Sequence, residues 1–548
     1  MANVVRAAFV LASLSLGVYT ANHSASTFSY AKTSIFTLIF YIPFHLAWSI
    51  FLFPLYFSPL LSLPQAPREG GWKSFFQTRD SRQVLRWMET IPNDGLIRYL
   101  DVFNMEVVAV TTPRGAAEFL QVRADQYVKN PKIKRILENL LGNGLVVAEG
   151  MDHKYQRKHL LPAFNVKVIK NLYPLFWIKA TEMVTLIKQE VETGPKATEK
   201  SSASINIDDW AGRVSLDIIG QAGFGSEFSS LSHPNTALNT SYRAAFVPND
   251  NSKLIFVLSL LTTPKLVNLL PGKNNALFRE GKRSVTDWVR NLIQERKTDM
   301  HNHLDDLDYM EKSGQKDIIA AAMKTKAFST EDLVHQSKTL LGAGHETSAT
   351  AVTWGIYILS QPRYAHIQDR LRREIRANLP SPSSGIEVTA DMLDKLPYLD
   401  AVSKEIMRVY APVPTVGRVP AQDTDIFGVK IPKGTSVRVH LWAMNKAKQF
   451  WGEDAAEFDP ERWLVGKDKA MGGATDSLAY LTFGHGPRGC IGRGFAIGEN
   501  KAILAALVGS FDFKPVPGTD PDDIDVLFGI TARIIGGYDV QTTVVEGW

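Results

Sequence analysis

Hydrophobic and polar positions divide the chain into a strongly apolar beginning and a long amphipathic remainder. Residues 7–19 form a short apolar block behind Arg6, a pattern shared by signal peptides and membrane anchors. Residues 35–61 form a longer block with no acidic or basic side chain except His45. At about 1.5 Å per residue this second block crosses a hydrocarbon core of about 30 Å, and it is the better span. Pro43 and Pro54 inside it predict a kinked helix. Arg68, Lys73, Arg79, Arg82 and Arg86 follow, and basic residues flanking a span mark its cytosolic side. If residues 7–19 also span, Arg6 falls on that side too. The expected organisation is an anchor of one or two spans over residues 1–63, a proline-rich hinge over 64–74, and one large domain over 75–548 without a long linker.

Beyond the hinge the apolar period changes repeatedly. Residues 75–128 carry short apolar runs, such as Glu106-Val107-Val108-Ala109-Val110, and read as strands with an intervening helix. His153 and Arg157 lie four apart and share a helix face, which taken alone is usually a solvated face. Residues 199–203 read as a polar loop. An apolar block within 253–271 is broken by Pro264 and Lys265 and is too short for a span. Ser329 and Asp332 form a capping-box pattern opening a helix that runs without proline to Gln361, about 46 Å. Gly342 and Gly344 in its middle each cost about 1 kcal/mol against alanine, so a close approach is expected there, either a packed helix or a ligand. Residues 399–410 form a shorter helix with Glu405 and Arg408 on one face. Strand, turn and strand follow over 415–418 and 427–435, and a helix over 495–508. The predicted class is α+β, mostly helical, with small sheets around one long central helix.

Charge and cysteine content narrow the chemistry. With 61 basic against 56 acidic residues the net charge is +5 and spread out, which excludes a nucleic-acid partner. Cys490 is the sole cysteine, so neither an intrachain disulfide nor a multi-thiolate zinc site can form, in keeping with a reducing compartment. Its surroundings, Phe483-Gly484-His485-Gly486-Pro487-Arg488-Gly489-Cys490-Ile491-Gly492, are stripped of side chains and precede a helix. Helix-terminal positive charge and Arg488 are expected to favour a thiolate.

This loop matches Phe-x-x-Gly-x-Arg-x-Cys-x-Gly and resembles the haem-binding loop of cytochrome P450 monooxygenases, in particular membrane-anchored fungal-type members. The resemblance implies the P450 fold, haem b, and Cys490 as the axial thiolate of its iron. It implies that Arg488, Phe483, Arg418, His153, Arg157 and Gly344 bind the cofactor. Gly342-Ala343-Gly344-His345-Glu346-Thr347-Ser348 is similar to the family's oxygen-activating helix motif, with Gly344 opening an oxygen groove. Thr347 would donate a hydrogen bond and Glu346 would feed protons. Glu405 and Arg408, with Arg462 of Phe458-Asp459-Pro460-Glu461-Arg462, resemble the family's structural ion network, while Pro412 to Val416 and Gly529-Ile530-Thr531 would face the cavity.

The implied partners are an NADPH-dependent flavoprotein reductase, cytochrome b5 as a second electron donor, and a lipophilic small molecule. The implied site is the endoplasmic reticulum membrane, catalytic domain in the cytosol. By analogy the substrate is a terpenoid or polyketide of fungal secondary metabolism. Two rivals remain open: a reductase-independent isomerase or dehydratase of the same fold, and a haem sensor without catalysis. The intact Gly344, Glu346 and Thr347 set argues against both.

Overall fold

The computed structural model describes residues 43–194, 201–246, 258–259, 262–302, 317–466 and 468–548. The block 7–19, residues 35–42 of the second block, and most of the apolar run near 253–261 lie outside the described residues. One described helix, Pro43–Ser62, is long and apolar enough to cross a membrane, with a mean hydropathy of 1.5. The irregularity expected at Pro54 takes the form of a π-helical stretch, Trp48–Phe57, around the proline that lacks an N–H. The end of this segment joins the protein core through Leu60 and Leu63.

The helices that build the site are α1 (Ser81–Thr90), α2 (Pro131–Leu141), α3 (Gly150–Leu160), α4 (Tyr173–Thr193), α5 (Ile207–Phe224), α6 (Ala237–Phe246), α7 (Lys273–Asn302), α8 (Thr330–Ser360), α9 (Ala365–Asn378), α10 (Pro397–Val409) and α11 (Arg493–Ser510). The capping box of Ser329 and Asp332 is present, and the side chain of Ser329 accepts the N–H of Asp332. α8 runs through the core, packed on α5, and α11 packs on α4. A five-stranded sheet orders β1 (Leu96–Leu100), β2 (Glu106–Val110), β8 (Ser436–His440), β5 (Thr415–Pro420) and β3 (Tyr127–Val128), with only β2 and β8 parallel.

The reading of residues 199–203 as a loop is corrected at its end, residues 199 and 200 lying outside the described residues. Ser202–Asn206 forms β4, which pairs antiparallel with β12 (Asp539–Val544). Its partner lies at the far end of the chain, so no local pattern announced it. β12 also pairs with β9 (Phe511–Pro515), and β10 (Val526–Phe528) with β11 (Ala532–Ile534) closes a hairpin near the middle of α8.

The ion network of α10 is fully buried. Glu405 and Arg408 are both wholly inaccessible and bonded at 2.9 and 2.7 Å. Arg408 also donates to the carbonyls of Asn445, Ala455 and Glu457 at 2.8, 2.6 and 2.7 Å. Glu405 accepts in addition from Arg462 Nε, Trp463 Nε1 and the Asp459 N–H at 2.9, 2.9 and 3.0 Å. A network this complete fixes where the segment before the cysteine loop enters the core.

Candidate functional site

Gly484 and Gly486 take positive φ, +67° and +69°, which lets the loop fold back until the Cys490 N–H donates to the Phe483 carbonyl at 2.8 Å. A Cβ on Gly486 would collide with the Leu120 carbonyl, so this glycine is needed for close approach of the loop to residues 118–122. His485 Nε2 and Gln121 Oε1, 2.8 Å apart, brace the same junction. The Phe483 ring lies under the Arg493 guanidinium at 5.5 Å.

The electrostatics at Cys490 differ from the sequence expectation. Burial pushes the thiol above its ordinary value, against the pull of the Gly492 N–H and of Arg157 and Arg493. Arg488 is not among the charges acting on it. Its guanidinium instead ties to Glu149 and donates to the Ala148 carbonyl at 3.2 Å. Cys490 is nonetheless exposed to solvent, and a cation bound at the sulfur, such as iron, would favour the thiolate.

Arg488 belongs to a cationic cluster drawn from distant parts of the chain. The β3–β5 pairing, Val128 opposite Val419, sets Lys129 beside Arg418. Lys129 bonds Glu149 at 3.0 Å and the Ala148 carbonyl at 3.1 Å. Arg157 reaches the Gly489 carbonyl at 2.8 Å, and α3 is held against α8 by the buried Gln336 to Gln156 bond of 2.8 Å. Burial, reinforced by neighbouring positive charge, lowers Lys129 to about 8, Arg418 to about 10 and His153 to about 4. His153 is therefore held neutral at physiological pH. Lys129, Arg418 and Arg488 have Glu149 as their acidic neighbour, while Arg157 acts on Cys490, a surplus of positive charge that suits a dianionic ligand. Lys129 carries no motif, and only strand pairing reveals it.

On α8 the predicted residues separate. Thr347 Oγ1 donates to the Ala343 carbonyl at 2.8 Å, and Ala343 is exposed in the middle of the helix. Glu346 turns the other way. Thr531 Oγ1 donates to Glu346 Oε1 at 2.6 Å and Arg533 Nε lies 3.6 Å from it. Burial raises Glu346, and likewise its neighbour Asp208 on α5. Thr531, expected to face the cavity, is buried as a partner of the acid. A Cβ on Gly344 would stand 2.9 Å from Ile219 Cδ1, so packing of α5 on α8 accounts for this glycine. His345 links the helices, with Nδ1 3.0 Å from Tyr242 OH and Nε2 3.0 Å from the Gly212 carbonyl.

Among the described residues no group of three or more His, Cys, Asp and Glu is arranged to hold a metal ion. A metal bound at Cys490 would need further ligands from a prosthetic group, and the cationic cluster beside it fits one bearing carboxylates.

The family described as Cytochrome P450 matches residues 74–538. The chain belongs to the cytochrome P450 family. It is 40% identical to Cytochrome P450 monooxygenase sphH of Aspergillus fumigatus, covering 92% of each chain. It is 35% identical to Cytochrome P450 monooxygenase FUM15 of Gibberella moniliformis over 98% of each, and 35% identical to Cytochrome P450 monooxygenase ALT8 of Alternaria alternata over 99% of each. This P450 is thus a haem-thiolate monooxygenase, an oxidoreductase, and the isomerase and sensor readings lose their ground.

Proposed function

We propose that this P450 inserts one atom of dioxygen into a lipophilic terpenoid or polyketide of fungal secondary metabolism, at the endoplasmic reticulum membrane with its catalytic domain in the cytosol. Electrons come from NADPH through a flavoprotein reductase, with cytochrome b5 as an auxiliary donor. The observation that carries the reading is the convergence of the sole thiol with the Lys129, Arg157, Arg418 and Arg488 cluster from four separate stretches of chain.

Haem, when bound, would supply oxygen activation; Cys490 would hold its iron, and Lys129, Arg157, Arg418, Arg488 and His153 would hold its carboxylates. Phe483, packed under Arg493, supports the loop that presents the thiolate, and the Gly492 N–H tempers its charge. Gly344 lets α5 close on α8 beside the oxygen site. Glu346, raised by burial, holds a proton more readily than a free glutamate, and Thr531 and Arg533 orient it. Thr347, bonded to Ala343 at rest, is placed to pass a proton inward. Ile530, 65% exposed between β10 and β11, offers an apolar contact suited to a lipophilic substrate.

Thr347→Ala tests the proton step. Alanine is the better helix former, so the haem spectrum and substrate binding should persist. Product formation should fall by about 10²–10⁴, the usual worth of a positioned proton donor, with electrons diverted to hydrogen peroxide. NADPH, peroxide and product measured in one reaction decide it, and unchanged coupling would remove Thr347 from the mechanism. Topology has its own test. Protease added to intact microsomes should digest the catalytic domain, whereas full protection would reverse the orientation.

A further inference from the structure

A cavity of about 500 Å³ lies between the candidate membrane helix and the large domain, lined by Phe51, Arg68, Trp72, Phe75, Phe76 and Arg79 among others. Hydrogen bonds to the helix backbone join the two walls. Asn104 Nδ2 donates to the Ile50 carbonyl at 2.9 Å, and the Arg98 guanidinium donates to the Pro54 carbonyl. Arg98 is itself buried and paired with Glu106, so these bonds seat the helix from Ile50 onward against the large domain. In the cavity wall Phe51 stacks on Phe75 with centroids 5.5 Å apart, one ring from the helix and one from the domain. Around it Trp72, Tyr56 and Phe76 are 75%, 69% and 58% exposed, the aromatic girdle expected at a membrane surface.

The charge inside the cavity is unbalanced. Asp101 in its wall is already committed: Oδ1 accepts the Arg79 N–H at 2.9 Å, and Oδ2 pairs with Arg438 at 2.6 Å. Arg79 is only 8% exposed, and its guanidinium donates at 3.3 Å to the Ser74 carbonyl. Arg68 reaches Asn104 Oδ1 at 3.4 Å. Among the described residues neither guanidinium forms an ion pair with a carboxylate. Two cations facing one cavity, one of them nine-tenths buried, lack an anion.

We propose that this cavity binds the phosphate of an anionic phospholipid headgroup, with Arg68 and Arg79 as its ligands and the aromatic rim against the lipid's glycerol and upper acyl chains. Guanidinium forks match phosphate oxygens, and the rim explains why so many large aromatic faces are left in the open. The site would set the depth and tilt of the catalytic domain on the membrane. It rests on the membrane reading given under Proposed function, and the test separates the two.

The full chain is placed in nanodiscs of phosphatidylcholine with or without phosphatidylinositol, and lipids retained on release are counted by native mass spectrometry. The wild type should keep one phosphatidylinositol in preference to phosphatidylcholine. The Arg68→Gln/Arg79→Gln double variant should lose that preference by roughly 30-fold, the amount two arginines near an anionic surface supply. Arg86→Gln, which removes an exposed pair with Glu69, should leave it intact. An unchanged haem spectrum and thermal melting curve establish that the double variant is folded. If the double variant is misfolded, Arg68→Gln alone is used, with a roughly 5-fold loss expected. Equal retention in variant and wild type overturns the proposal, as does complete displacement by inorganic phosphate, which would make the ligand a free anion. If alkaline carbonate extracts the chain from microsomes, the membrane reading itself fails. An integral chain that retains no phosphatidylinositol sinks the headgroup site alone.

Discussion

Cys490→Ala should abolish the strongly red-shifted Soret band of the ferrous carbon monoxide complex and bring monooxygenase turnover to background. The expectation is absolute because the chain has no second cysteine and, among the described residues, no cluster of other ligands that could take over the metal. The variant should still form its loop, since the bond holding the fold-back comes from the Cys490 N–H and not from sulfur. Haem retention should fall but not vanish, because the cationic cluster and His153 remain to hold the carboxylates. An optical titration of the purified variant with haem, followed by reduction and carbon monoxide, reads both effects. A band in its wild-type position would overturn the assignment of the thiolate, and with it the mechanism.

The second large effect is structural. Arg408→Ala should destabilise the protein by about 3–5 kcal/mol, because it takes two charge-assisted bonds from the buried Glu405 carboxylate and leaves three backbone carbonyls in the core without their donor. That is a large share of the roughly 5–15 kcal/mol that holds a typical domain. Unfolding entropy of about 2.1 cal/mol/K per residue makes each kcal/mol worth only roughly 1 °C in a chain this long, so Tm should drop by about 3–5 °C. Arg462→Ala should cost less. It leaves Glu405 with both Arg408 bonds, the Trp463 indole and the Asp459 N–H, and its other partner, Asp454, is half exposed. Haem-loaded yield and melting curves of the two variants, measured side by side, check the order. Equal melting of Arg408→Ala and wild type would show that the network does not carry this stability.

The chemistry was legible in the sequence wherever it rests on consecutive residues. The cysteine loop needs glycine at positions of positive φ and close approach, and those glycines are visible as letters. The ends of α8 follow from a capping box and from Pro362, so they could be placed within a residue before any contact was known. Helical spacing sets Glu405 and Arg408 on one face of α10, and by itself leaves open whether the pair is buried. What the tertiary structure decided is which distant groups meet. Lys129 joins Arg418 only because β3 pairs with β5, and Ser202–Asn206 becomes a strand only because the chain's last strand lies beside it. Gly344 answers to Ile219, and Glu346 turns to Thr531 and Arg533 rather than to its neighbour Thr347. Adjacent helical residues point about 100° apart, so a motif written side by side is split between two faces. Local periods and caps act over a few residues and leave their mark in the sequence. Strand pairing and desolvation act between segments hundreds of residues apart, and their outcome depends on how the whole core closes.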